Sequence, residues 1–437
     1  MIRSQLKGTL LGLWLAAAGG LVYGQQVQEI TGYVLDANTS EPVSYASVGV
    51  PDQATGISAN LNGYFNLRLN TTNMDHFLEV SSIGYSRKRI PFSSITWGEE
   101  IIIRLDPEIT MLREVVIEGR RQTLEDIIAS TSRNRKEYLR STPYLTNVFY
   151  RETLQIGDKY AGITEAQGIF YINGYNPKYK NNQNQVMTYD VAQWKHMRRS
   201  SYPSESYLRI GKLLKAKDYY LHDGPLKRKN LQKFRYTVVD TSQYQDQAVL
   251  VVEFSPLPAY SEEFNYHGRM LIKEDDKALL SIEVEQRGSE PYLAQKEDKQ
   301  QQSSTFSISF MKFNDQYYLN RSSLMQSYHS PDGPLQYQLE IIGGPFSKQK
   351  PKFLNNAQRA VLYSDMLNPA INYDPNFWDA YKFAESEVFK KVEAEISNLD
   401  QLFEQNHQLR LVPLPEGMES YEQMVNEQSI LEFFMQY

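Results

Sequence analysis

Between residues 28 and 118, short apolar runs alternate with clusters of turn formers. The runs are Ile30 to Leu35, Val43 to Val50, Tyr64 to Leu69, Phe77 to Ile83 and Ile101 to Leu105. Asp36 to Pro42 and Asn62-Gly63 punctuate them. Glycine after asparagine reaches positive φ without a Cβ clash, which suits a tight turn. Strands this short and this closely spaced predict a β-sandwich over 28–118.

A helical unit follows over 119–144. Thr123 with Asp126 is a capping-box-like start, Leu124, Ile127 and Ile128 keep the helical period, and Pro143 ends it. From 145 to 350 the period returns to two: Leu280, Ile282 and Val284 alternate with Ser281, Glu283 and Glu285, and Phe306, Ile308 and Phe310 with Ser307 and Ser309. One apolar and one polar face predict a half-buried antiparallel sheet, with hairpin turns at Asp275-Asp276 and Asn314-Asp315 and a long polar loop over 286–304. Residues 355–437 read as helical, with a stripe from Val388 through Val392, Ile396 and Leu399 to Phe403 that predicts one continuous helix. The expected class is therefore mainly β with α (α+β).

Two stretches carry a family resemblance. Gly32-Tyr33-Val34-Leu35-Asp36, Glu41-Pro42-Val43, Ala46-Ser47-Val48, Asn62-Gly63-Tyr64-Phe65 and Ile83-Gly84-Tyr85, in that order, resemble the carboxypeptidase regulatory-like domain. Leu112 with Glu114-Val115-Val116-Ile117 resembles the strand that closes this domain on bacterial outer-membrane proteins. The resemblance implies a transthyretin-like, non-catalytic sandwich of the kind found in envelope proteins of Bacteroidota. Asn60 stands where the family commonly has aspartate. More loosely, a one-faced sheet with helices inside resembles the unclosed half-barrel of bacterial lipoprotein carriers.

The N-terminus changes the expected compartment. Arg3 and Lys7 precede an apolar run from Leu10 to Val22, and Val22-Tyr23-Gly24 resembles a cleavage site, so 1–24 reads as a signal peptide. That run is shorter than the roughly 20 residues a membrane span needs. The chain has no cysteine. This removes thiol chemistry, cysteine zinc sites and lipidation at a mature N-terminal cysteine. The formal net charge of −6 gives no reason to expect nucleic acid.

Catalytic motifs are missing. The six histidines form no His-x-x-x-His pair, and no nucleophile elbow or phosphate loop occurs. Glu262-Glu263 and Asp275-Asp276 are the acidic pairs a hydrolase reading would use, against the simpler reading of solvated turns. No cofactor is expected.

Tyrosine is abundant, at 31 residues, through strand preference or through contact surfaces. Tyr171, Tyr175, Tyr179, Tyr189 and Trp194 lie among Asn and Gln in a segment that reads as a recognition loop for a protein or a glycan. Arg198, Arg199, Lys227, Arg228 and Lys229 form a candidate basic patch, which the acidic C-terminal region could instead cover. The C-terminal segment from Tyr421 to Tyr437 fits either a helix or an alternating strand. The expectation is a non-enzymatic exported protein, periplasmic or outer-membrane associated. It would be a binding or scaffold subunit of outer-membrane machinery such as a TonB-dependent importer or an assembly complex, held at the membrane through partners and not a lipid anchor. The alternatives are a glycan-binding module and a hydrolase with an unconventional carboxylate site.

Overall fold

The computed structural model describes residues 28–53, 55–69, 75–108, 123–139, 144–172, 191–200, 210–288, 301–313, 315–330, 333–347 and 373–407. The signal-peptide segment, the closing-strand segment at 112–117 and the residues beyond 407 lie outside them.

The N-terminal unit is a two-sheet sandwich. One sheet has the order β4 (Tyr64–Leu69), β1 (Gln28–Asp36), β7 (Ile101–Leu105), and the other β3 (Thr55–Ser58), β2 (Ser47–Val50), β5 (Phe77–Ser81), β6 (Lys88–Pro91). Alternation along β1 buries Ile30 and Val34 against Phe65, Leu67, Val80 and Ile103. Gly63 is obligatory in its turn, with φ of 73° and the site of a Cβ lying 2.4 Å from the Val34 carbonyl oxygen. The apolar run from Val43 is only half strand, because Tyr45 turns left-handed at φ of 59° before β2 begins. Strands β3 and β6 escape a sequence reading: each has four residues, and β6 has no buried side chain to mark a period.

The large unit is a ten-stranded sheet in the order β10 (Val191–Arg199), β9 (Lys159–Ile172), β8 (Tyr144–Ile156), β17 (Leu335–Ser347), β16 (Gln316–Tyr328), β15 (Gln301–Phe313), β14 (Leu279–Arg287), β13 (Tyr266–Lys273), β12 (Gln247–Pro256), β11 (Phe234–Tyr244). All neighbours are antiparallel. The period-two pattern decides the faces: Ile282, Val284, Phe306, Ile308 and Leu339 point to one core, and Glu283, Ser307 and Glu340 to the other side.

Two helices fill the inner face. α1 (Leu124–Tyr138) starts on a reciprocal capping box, in which the Asp126 amide donates to the Thr123 hydroxyl (3.2 Å) and the Thr123 amide to the Asp126 carboxylate (3.1 Å). α2 (Ile210–Asp218) buries Leu213, Leu214 and Ala216 and continues into a π-helical turn, Tyr219–Asp223. Tyr220 in that turn stacks on Phe306 (5.2 Å between centroids) and meets Tyr266 edge-on (5.3 Å). Tyr144, Tyr150, Tyr220, Tyr266 and Tyr317 are among the largest fully buried side chains, so for these the tyrosine content serves the core.

The C-terminal residues 373–407 cross the outer face as a strap. α3 (Pro375–Ala380) is capped by Asp374, whose carboxylate accepts from the Phe377 amide, and α4 (Glu387–Glu395) by Ser386, whose hydroxyl accepts from the Phe389 amide. The expected continuous helix is broken: Asn398 adopts φ of 57°, and α5 (Leu399–His407) starts anew. The break brings Val392, Leu399 and Phe403 into one cluster with Ile163 of the sheet, which a straight helix would carry past it.

Candidate functional site

The outer face of the large sheet carries a file of polar residues that the registers place side by side. In sheet order it runs Arg198, Glu165, Arg151, Glu340, Ser323, Ser307, Glu283, Arg269, Glu253, Thr237, one from each strand. Opposite charges directly across a strand pair attract, so this order supports the sheet as well as marking its face.

Four members of the file are covered. Glu165, fully buried, accepts from Arg151 Nε (2.6 Å) and Arg198 Nε (2.7 Å), and both guanidinium groups are nearly buried. Arg151 also donates to the Ala384 carbonyl of the strap. The Arg198 guanidinium lies 4.1 Å from the Phe389 ring centroid, 4.5 Å from Trp378 and 5.3 Å from Phe403, all strap residues. The strap thus meets the file with ring faces for its cations and a carbonyl for its spare donor.

The sandwich covers the next stretch. Tyr45 donates to Glu340 Oε1 (2.7 Å), Arg321 Nε reaches the same oxygen (2.5 Å), and the Arg321 guanidinium sits 4.4 Å from the Tyr45 centroid. Gly49 and Gly56, opposite one another in β2 and β3, form a slot for the Phe313 ring; a Cβ on Gly49 would lie 2.2 Å from it. Asn60 accepts from the Asn62 and Tyr64 amides (2.9 Å each) and donates through Nδ2 to the Phe383 carbonyl (2.9 Å). Aspartate, the commoner residue of the resembling family here, could hold the turn but has no proton for the strap.

Burial alone would raise the Glu340 carboxyl, but the Arg321 guanidinium, the Tyr45 hydroxyl and the Arg151 charge outweigh it and hold it below the ordinary 4.5. A carboxyl depressed on folding contributes stability above its unfolded pKa and loses it as pH falls through the folded one. Denaturant midpoints measured between about pH 5 and about pH 3 should therefore fall more steeply for the wild type than for Glu340→Gln. Parallel slopes would remove Glu340 from the acid response.

Glu283, Arg269, Glu253 and Thr237 remain exposed. They line a trough of about 400 Å³ together with Arg235, Ser255, His267 and Glu285. Arg269 pairs with Glu253 (2.9 Å), and His267 Nε2 lies 3.4 Å from Glu285. Phe254 in the lining is 2% exposed and offers no stacking surface, and the His267 imidazole is the exposed ring there.

The residues singled out from sequence do not form one site. Tyr171 stands in β9 opposite Val191 of β10, and Tyr175, Tyr179 and Tyr189 lie outside the described residues. Trp194 is a correction: it is a strand residue, 6% exposed, packed against Tyr150 and Phe170 in the inner core and not in a recognition loop. Arg198 is likewise no surface cation, being locked beneath the strap. Arg199 ends β10 half-buried with Nη2 at 3.2 Å from the Met197 sulfur. Lys227 pairs with Asp223, and Arg228 and Lys229 are exposed in the helical turn before β11. The two halves of the expected basic patch therefore stand at opposite edges of the sheet. Of the acidic pairs, Asp275 and Asp276 hold Lys273, and Asp276 accepts from Tyr317; Glu263 holds Lys233. Among the described residues, no three His, Asp or Glu converge as metal ligands, and no helix is long and apolar enough to cross a membrane.

The fold and outer face define a protein in which a two-sheet sandwich and a helical strap dock on an open ten-stranded antiparallel sheet. Residues 30–117 match the CarboxypepD_reg-like domain model, so the sandwich is a domain of that family. A comparison with curated proteins gives no match. Among solved structures, a LolA superfamily protein from Nitrosomonas europaea aligns at 11% identity and a TM-score of 0.21, over 54% of this chain and 96% of its own. A DUF1329 family protein from Desulfovibrio piger aligns at 10% and 0.22, over 53% and 93%. A chain of the MucA/MucB complex from Pseudomonas aeruginosa aligns at 7% and 0.16, over 50% and 93%. Likenesses of this size define neither a ligand nor a partner.

Proposed function

We propose that this is a non-enzymatic exported envelope protein, periplasmic or outer-membrane associated, that works as a binding or scaffold subunit of outer-membrane machinery. A TonB-dependent importer or an envelope assembly complex is the class of partner. The observation that carries the reading is the charged file. Where the chain covers it, protein elements do so with rings, hydroxyls and carbonyls; where it is open, the same residue types form a trough on the same face. The inner face is occupied by the chain's own helices, which leaves the outer face as the surface for contact. The carboxypeptidase regulatory-like domain supports the compartment, as does the signal peptide expected at 1–24 from its sequence.

Glycan binding is the lesser reading, since the trough supplies carboxylates, cations and the His267 imidazole but no exposed Tyr, Trp or Phe ring. Hydrolysis through Glu253, Glu283 or Glu285 would give turnover of glycoside or ester substrates, which we expect to stay at background. Affinity purification from detergent-solubilised envelope, with wild type and with Arg269→Glu/Glu283→Lys, tests the main reading. An outer-membrane protein recovered with the wild type and reduced at least tenfold with the variant is expected for a charge-dependent interface. Equal recovery by both would move the docking surface elsewhere.

A further inference from the structure

We infer that the free edge of β11 is a contact surface for a second copy of this chain, with Arg235 of each copy against the partner's Asp240. β11 is one edge of the ten-stranded sheet, hydrogen-bonded along one side to β12. A register shift between Val238 and Asp240 inserts Val239 as a bulge residue. Strict alternation would hide one of two successive side chains, and the bulge instead leaves both Val238 and Val239 outside, at 37% and 42% exposure. They are two of only five large hydrophobic residues this exposed among the described residues. Arg235, Thr237 and Asp240 around them are exposed too.

The charges around the valines are self-complementary. An antiparallel two-fold contact that sets Arg235 against the partner's Asp240 repeats that pair on the other side of the axis, and sets Thr237 against the partner's Val238 and Tyr236 against its Val239. The symmetry of an isologous interface demands this reciprocity, which few short segments satisfy. Bulges and charged side chains blunt an edge strand against backbone pairing, so the contact is one between side chains. Here the signs are opposed and the apolar pair is uncovered. The edge already takes a backbone partner at its far end, where the Gly84 amide of the sandwich donates to the Gln243 carbonyl (2.9 Å). The proposed contact continues that use of the edge.

Sedimentation equilibrium of the mature chain, from about 5 to about 200 µM at low salt, tests the inference. The weight-average mass should rise toward twice the monomer value. Arg235→Asp and Asp240→Arg, both at exposed positions, should each raise the dimer dissociation constant about tenfold or more by facing like charges. The double variant should return it to within about threefold of wild type, because the swapped pair attracts again. Circular dichroism melts control for folding, and Val239→Lys gives a second, charge-independent disruption. A monomer at every concentration, or a dimer indifferent to all four variants, overturns the inference. Arg235 also lines the trough, so Val239→Lys, which lies outside that lining, is the variant that reads the dimer apart from the docking reading.

Discussion

Glu165→Ala should be among the most destabilising single changes in the molecule. It strips the shared carboxylate from two guanidinium groups that are 6% and 8% exposed in residue terms, and neither can turn to water beneath the strap. Breaking a buried ion pair by removing one partner costs about 3–5 kcal/mol, chiefly because the remaining charge is left uncompensated. Here two remain. At about 2–4 °C per kcal/mol, the melting temperature should drop on the order of 10 °C. The triple variant Arg151→Met/Glu165→Leu/Arg198→Met separates the causes: with no charge left to desolvate, it should recover most of the loss. A Glu165→Ala protein melting within a degree of wild type would mean that the strap lifts readily, and that this part of the file is not sealed.

Gly49→Val should unseat the sandwich from the sheet. The Phe313 ring occupies the space a side chain at Gly49 or Gly56 would need, and the Thr55 carbonyl lies 2.6 Å from the added Cβ, so backbone closes the other exit. Overpacking of this kind costs about 1–3 kcal/mol. Phe313→Ala, which empties the slot, should cost about 3–5 kcal/mol. The two lesions should partly cancel when combined, because the valine then grows into the vacated space. Limited proteolysis provides the readout: Gly49→Val should release the sandwich and the sheet as separate resistant fragments at protease levels that leave the wild type whole. If the cleavage pattern is unchanged, the Tyr45, Arg321 and Glu340 contacts hold the units together without the slot.

The regular parts of this fold were legible because they obey local periods. Leu280 to Glu285 read as a one-faced strand from alternation alone, Thr123 and Asp126 announced a helix start, and Asn62-Gly63 announced a turn. Strands β3 and β6 escaped because four residues with one apolar side chain, or none facing inward, carry no period to detect. The expected single C-terminal helix failed for a different reason. Its apolar stripe is real, but a left-handed residue at Asn398 folds it back, and a stripe records which residues are buried, not whether the backbone between them is continuous.

The candidate site divides the same way. Sequence by itself determined that Glu283 and Ser307 sit in strands, on the face away from their apolar neighbours. It determined the N-terminal sandwich and the absence of any cysteine, and it sets the expectation of a signal peptide at 1–24. Only the tertiary structure decided that Arg198, Glu165, Arg151, Glu340, Arg269 and Glu253 stand in one file with Glu283 and Ser307, because register across ten strands is a relation between segments far apart in the chain, set by hairpins, bulges and the long-range pairing of β17 with β8. It also decided that Trp194 is core and Arg198 is sealed. Both are aromatic or cationic positions whose exposure depends on what is laid over the sheet afterwards, and no local pattern in their own strand contains the strap.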